Sequence, residues 1–162
     1  MIRRAKPEDA SRLAEILVFA KRINFRPIFQ DDQFSFNVLR VLDIALDLRD
    51  RPGALNDVYV LEDGGIVKGL MRWNRSRADE GVWQMQELYV DPFFQGQGIG
   101  AQLMERFLAA AREDGARQAF LWVVELNARG RRFYHRFGFG PSGEKQFEEG
   151  TDKYLLKYVL EL

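Results

Sequence analysis

From Val82 to Val124 the chain lays out an apolar run, a turn, a helical pattern and a second apolar run, which has the length and order of a βαβ crossover. The first run ends at Asp91-Pro92, where proline removes a ladder donor. Next come Gly96, Gly98 and Gly100 at every second position, and then Ile99, Leu103, Met104, Phe107, Leu108 and Ala111 at helical spacing. Right-handed crossover geometry makes the strands flanking such a unit parallel. Everything else in the chain must be arranged around a sheet containing them.

Upstream, Ile2 to Ala5 suits a short strand. Pro7, Glu8 and Asp9 precede a helical pattern at Ala10, Leu13, Ala14, Ile16, Leu17 and Phe19. Residues 21–33 look irregular, and a second helical pattern is expected from Phe34 to Leu48. Two apolar runs at 58–61 and 66–73, joined through Asp63-Gly64, suit a hairpin. Downstream of the crossover, Ala128 to Phe137 suits a short helix and Tyr154 to Leu160 a last strand. The expected fold class is therefore α/β in the broad sense, a central mixed sheet flanked by helices. At 162 residues it is expected to form a single domain over 1–162.

Composition narrows the chemistry. Lysine plus arginine and aspartate plus glutamate both number 24, so no net charge favours a polyanionic partner. With no cysteine and only His135 for imidazole, there is no thiolate nucleophile and no Cys- or multi-His metal site. No signal core or run of about 20 apolar residues is present, so a soluble, cytoplasmic protein is expected.

Glycines at the start of a helix let the backbone turn with positive φ and bring unsatisfied N–H groups close to a ligand, above all an anion. A nucleotide-triphosphatase loop would need lysine and a hydroxyl residue where Ala101 and Gln102 stand. A dinucleotide loop would need another spacing, in the first βαβ unit. A tight turn that merely packs a helix on its strand stays open as an alternative.

The segment ELYVDPFFQGQGIG resembles the acetyl-coenzyme A binding motif of the GNAT superfamily of N-acetyltransferases, with Gln95, Gly98 and Gly100 at the fixed positions. Leu121 to Phe139 resembles the second motif of that superfamily, with Asn127, Phe133, Tyr134, Gly138 and Phe139 matching. The resemblance implies a GNAT-like acyl-CoA N-acyltransferase fold. It implies acetyl-CoA as acyl-donor co-substrate, with no metal, held through Leu88, Val90 and the loop Gln95, Gly96, Gln97, Gly98, Ile99 and Gly100, and by the side chain of Asn127. It also implies direct transfer of an acetyl group to a primary amine in a ternary complex.

Such a transfer needs a proton for the departing thiolate and a group to take one from the amine. The resemblance assigns the first task to Tyr134, whose alternative is an aromatic packed under the last strand. Glu87, an acid on an otherwise apolar strand face, is the candidate for the second, the alternative being a solvated acid or one paired with Arg72. His135, a helix neighbour of Tyr134 pointing about 100° away, is expected at the surface. The basic run Arg129, Arg131, Arg132 and Arg136 is expected to be a solvated face, with the cofactor's 3′-phosphate as the alternative for one of its members. Phe25, Phe29, Asp31, Asp32 and Phe34 are candidates for the acceptor side. The expected partner is a small-molecule or peptide amine, with no nucleic acid and no membrane, and a homodimer is a possible assembly. Another acyl donor, a hydroxyl acceptor or a non-catalytic acetyl-CoA sensor are the rival readings.

Overall fold

The computed structural model describes residues 1–32 and 38–162. Seven strands and four helices follow in the order β1 (Ile2–Arg4), α1 (Ala10–Phe29), α2 (Val41–Asp50), β2 (Val58–Asp63), β3 (Ile66–Arg75), β4 (Val82–Val90), α3 (Ile99–Glu113), β5 (Gln118–Val124), α4 (Ala128–Arg136), β6 (Gly140–Phe147) and β7 (Tyr154–Glu161). The strand order is β1-β2-β3-β4-β5-β7-β6. β4 and β5 pair in parallel, and β1 with β2, β2 with β3, β5 with β7 and β6 with β7 pair antiparallel. The residues group into two compact units, Met1–Trp73 with Glu87–Arg106 and Asn74–Gln86 with Phe107–Leu162.

In the first unit, α1 begins behind a proline turn in which Asp9 Oδ2 accepts from the Lys6 N–H at 2.8 Å. Its apolar stripe is buried with α2, β2 and β3 in a cluster of Leu13, Ile16, Leu48, Val58, Val60 and Leu70, against which Tyr89 packs. Burying each such aliphatic side chain contributes about 1.5–3 kcal/mol. The helix runs on to Phe29, through the stretch expected to be irregular. Pro27 lies inside it, where it has no N–H for the Ile23 carbonyl and its ring crowds that carbonyl, and the helix ends two residues later. Gln30 then ends it in the left-handed region, with φ 53°. The second helix begins at Val41 rather than Phe34; residues 33–37 lie outside the described residues, and Arg40 is still extended.

In the second unit the β4–β5 ladder covers Val82 to Gln84, and β5 pairs with β7 along its whole length. Phe107, Leu121, Phe139 and Tyr158 are buried there. β6 was not expected from the sequence. Almost every residue in it is exposed, its register slips between Pro141 and Lys145, and Gly143 has φ 92°, so no alternation marks it. It is an edge strand, where a proline and a bulge are tolerated. Among the described residues, no helix is long and apolar enough to cross a membrane.

Candidate active site

In the first unit, Leu88 and Val90 are half-buried at the end of β4. Asp91 then turns the chain: its Oδ1 accepts from the Phe93 N–H at 2.8 Å, and its own N–H donates to the Lys68 carbonyl at 2.9 Å. A single 3-10 turn, Pro92–Phe94, leads to an extended Gln95. Gly96 and Gly98 follow with φ of 79° and 78°, a region that costs other L-residues about 1–2 kcal/mol. Gly100 does not share that conformation, because it already lies in the first turn of α3.

The first helical bond outside α3 itself is Gln102 N–H to the Gly98 carbonyl, 3.0 Å. Among the described residues, the N–H groups of Gly98, Ile99, Gly100 and Ala101 have no hydrogen-bond acceptor. A Cβ added at Gly96 or Gly98 would meet nothing within 4 Å, so the glycines answer to handedness and open backbone rather than to crowding. Gly96, Gln97 and Gly98 are exposed, while Ile99 and Leu103 are buried and anchor the helix behind them. Bare N–H groups and the positive end of a 15-residue helix dipole suit an anion such as a phosphate group.

Glu87 does not stand alone on an apolar face. It is half-buried, and its Oε2 lies 3.2 Å from Arg72 Nε, whose Nη2 donates to the Ala54 carbonyl at 3.2 Å. Lys21 of α1 sits over the ring of Tyr89, 5.7 Å from its centroid. Of the acceptor-side candidates, Phe25 and Phe29 meet edge to face on α1 at 6.1 Å, and Asp31 and Asp32 are exposed. Phe34 lies outside the described residues.

In the second unit, Asn127 is the N-cap of α4: its Oδ1 accepts from the Gly130 N–H at 3.0 Å. A Cβ on residue 130 would come within 2.6 Å of Asn127 Nδ2, so glycine there lets the amide fold over the helix start. Tyr134 is half-buried, its ring edge-on to Phe133 at 5.4 Å and to Phe139 at 6.5 Å. Its hydroxyl makes no hydrogen bond among the described residues. Desolvation pushes the phenol up to about 12, so the proton is firmly held at neutral pH.

His135 is exposed, as expected, with its ring edge-on to Tyr158. Arg131 departs from the solvated face expected of the basic run, since its Nε donates to the Tyr158 hydroxyl and its Nη1 to the Glu125 carbonyl, both at 3.0 Å. Sequence reasoning also missed Arg12, which pairs with Asp91 from 79 positions away. No local pattern announces such a pair. Among the described residues, no cluster of three or more His, Cys, Asp or Glu is placed to hold a metal.

Comparison with known proteins bears on this arrangement. The profile of the Acetyltransferase (GNAT) family matches residues 15–139. An uncharacterized N-acetyltransferase of Archaeoglobus fulgidus is 40% identical over 86 residues, 53% of this chain and 58% of that protein. The L-methionine sulfoximine/L-methionine sulfone acetyltransferase of Salmonella typhimurium is 32% identical over 84 residues, 51% of this chain and 49% of that protein. The chain thus spans about half the length of these curated relatives. In three dimensions, the ribosomal-protein-alanine N-acetyltransferase of Brucella melitensis superposes with a TM-score of 0.73 at 23% identity, over 100% of this chain and 99% of that one. The acetyltransferase yncA of Salmonella typhimurium, solved with acetyl-CoA, gives 0.69 at 24% identity, over 99% and 92%. These two likenesses carry the fold: a mixed seven-stranded sheet with four helices. The family match covers more than half of the sequence and includes both the glycine loop and the helix bearing Tyr134, so the chain belongs to the GNAT acetyltransferase family.

Proposed function

We propose that this protein is an acetyl-CoA-dependent N-acetyltransferase acting on the primary amine of a small molecule or peptide. The observation that carries the reading is the loop Gln95 to Gly100, two left-handed glycines opening on four unsatisfied N–H groups at the start of α3. The acetyl-CoA bound to the yncA relative supports the choice of anion. Leu88 and Val90 offer backbone to the pantetheine, and the loop with Gln95, Gln97 and Ile99 takes the pyrophosphate. Asn127, whose Oδ1 serves the helix cap, has Nδ2 left to donate to the cofactor.

Acetyl-CoA supplies the activated acetyl group when bound. Tyr134 holds the proton that the sulfur needs as the C–S bond breaks and the C–N bond forms. Glu87, steadied by Arg72, takes the amine proton directly or through water. Both proton positions are thereby filled without a metal or a cysteine. The name of the Salmonella typhimurium relative makes amino-acid-like amines the first acceptors to assay.

The test combines calorimetry with thiol release across a panel of amines. Micromolar binding of acetyl-CoA and acceptor-dependent thiol release are expected. Gly98→Val, which puts a β-branched residue at φ 78°, should abolish binding in a folded protein. Undiminished affinity in that variant would remove the loop from the site, and binding without release on any amine would mark a sensor rather than an enzyme.

A further inference from the structure

We propose that Arg12 and Asp91 form a positioning pair that sets the entry to the glycine loop, so that acetyl-CoA affinity depends on an ion pair outside the loop itself. The inference rests on the assignment of the loop to the cofactor made above. Asp91 is 4% exposed, the only buried charged residue among the described residues. Its carboxylate is divided between two tasks. Oδ1 holds the Phe93 N–H and so shapes the turn, and Oδ2 pairs with Arg12 Nη2. Arg12 is equally committed, because its Nε donates to the Val67 carbonyl and its Nη1 to Glu15 Oε2, both at 3.0 Å. One guanidinium therefore ties α1, β3 and the turn after β4 together, and the Asp91 N–H adds a second tie to β3.

Anchoring at the loop's ends matters because its two left-handed glycines present no side chains to pack. The space where side chains would stand at Gly96 and Gly98 is open to 4 Å. Both ends of the loop are anchored. Ile99 and Leu103, both buried, fix the α3 end, and the Asp91 turn fixes the other. A displacement of about 1 Å in a site built on aligned donors is enough to lose up to about a hundredfold. A buried carboxylate also tolerates little movement without its partner, because an unpaired charge there is strongly disfavoured.

Asp91→Asn is the informative variant: asparagine can still accept from the Phe93 N–H through Oδ1 while losing the charge that answers Arg12. Arg12→Gln probes the other partner, and the double variant removes both charges together. Arg3→Gln is the control, since Arg3 bridges Asp9 and Glu62 in the same unit without reaching the turn. The expected result is an acetyl-CoA Kd raised about 5- to 100-fold in Asp91→Asn and Arg12→Gln, with kcat at saturating acetyl-CoA within about twofold of wild type. The double variant should be no worse than the worse single one. Arg3→Gln should lower Tm and leave the Kd alone.

A wild-type Kd in folded Asp91→Asn would overturn the proposal, even if Arg12→Gln failed to fold. So would a Kd that tracks Tm equally in all variants, Arg3→Gln included. Failure of the wild-type protein to bind acetyl-CoA would instead overturn the assignment of the loop, and this inference with it.

Discussion

Tyr134 is the residue whose chemistry the structure sharpens most. A phenol ordinarily titrates near 10, and here desolvation pushes it up to about 12. A raised value favours the protonated form of the folded protein, so its contribution to stability is present below about pH 10 and lost as pH rises through about 12. For the proton donation proposed for Tyr134, the same shift would keep the phenol protonated across any working range. Tyr134→Phe is therefore expected to lower kcat by about 10- to 10,000-fold with little change in acetyl-CoA affinity. The wild-type kcat profile should show no alkaline fall from this group below about pH 10. A fall that persists unchanged in Tyr134→Phe would belong to another residue. Glu87 is paired with Arg72 rather than free, so Glu87→Gln tests proton removal against structural pairing. Turnover depressed most at low pH, where neutral amine is scarce, is the expected outcome; a uniform loss matched by Arg72→Gln would leave only the ion pair.

Among the elements, β3 and α3 meet at Gly69. A Cβ there would stand 2.8 Å from Ile99 Cγ2, 3.2 Å from the Tyr89 carbonyl and 3.3 Å from Leu103 Cδ1. Because Ile99 opens α3 directly after the loop, this contact helps set where the helix N-terminus lies. Gly69→Ala is expected to destabilise by about 1–3 kcal/mol, as overpacking does, and Gly69→Val by more. Denaturant midpoints check this, and a midpoint unchanged in Gly69→Val would show that the strand and helix separate at little cost. The helix ends follow local rules more closely. Asn127 caps α4 as an asparagine should, while α1 continues through Pro27 against the local rule and ends two residues beyond it.

Across the whole molecule, carboxylates held below their ordinary range by basic partners occur in both units. The Arg3 hydrogen bond lowers Asp9, that of Lys68 lowers Asp63, and that of Arg117 lowers Asp79. Each folded value is depressed, so the stabilisation is present above the unfolded value near 4 and is lost as pH falls through the folded one. The exposed pairs contribute little, and Asp9 should dominate because its side chain is 11% exposed and is held by two nitrogens of Arg3. The urea midpoint is expected to be flat near neutrality and to fall below about pH 4. Asp9→Asn should flatten that acid limb, and an identical limb in the variant would move the effect to other carboxylates.

The glycine loop, the strand before it and the helix after it were legible in the sequence because their determinants are local. A helix N-terminus, a proline stop and two left-handed residues lie within about ten positions of one another. Tyr134 and Asn127 were marked as candidates for the same reason, through one short motif. The partners of Arg131 and Asp91 were not, whereas the pairing of Glu87 with Arg72 was one of the alternatives read from the sequence. An ion pair is decided by which elements come together, and Arg12 meets Asp91 across 79 positions. β6 was equally hidden, since an exposed edge strand interrupted by a proline and a bulge carries no apolar period. The sequence by itself determined the glycine turn and the helix start behind it, because backbone handedness and helix polarity are short-range properties. Only the tertiary structure decided what holds the loop in place, because buried charges must find their counterparts wherever the packed elements deliver them.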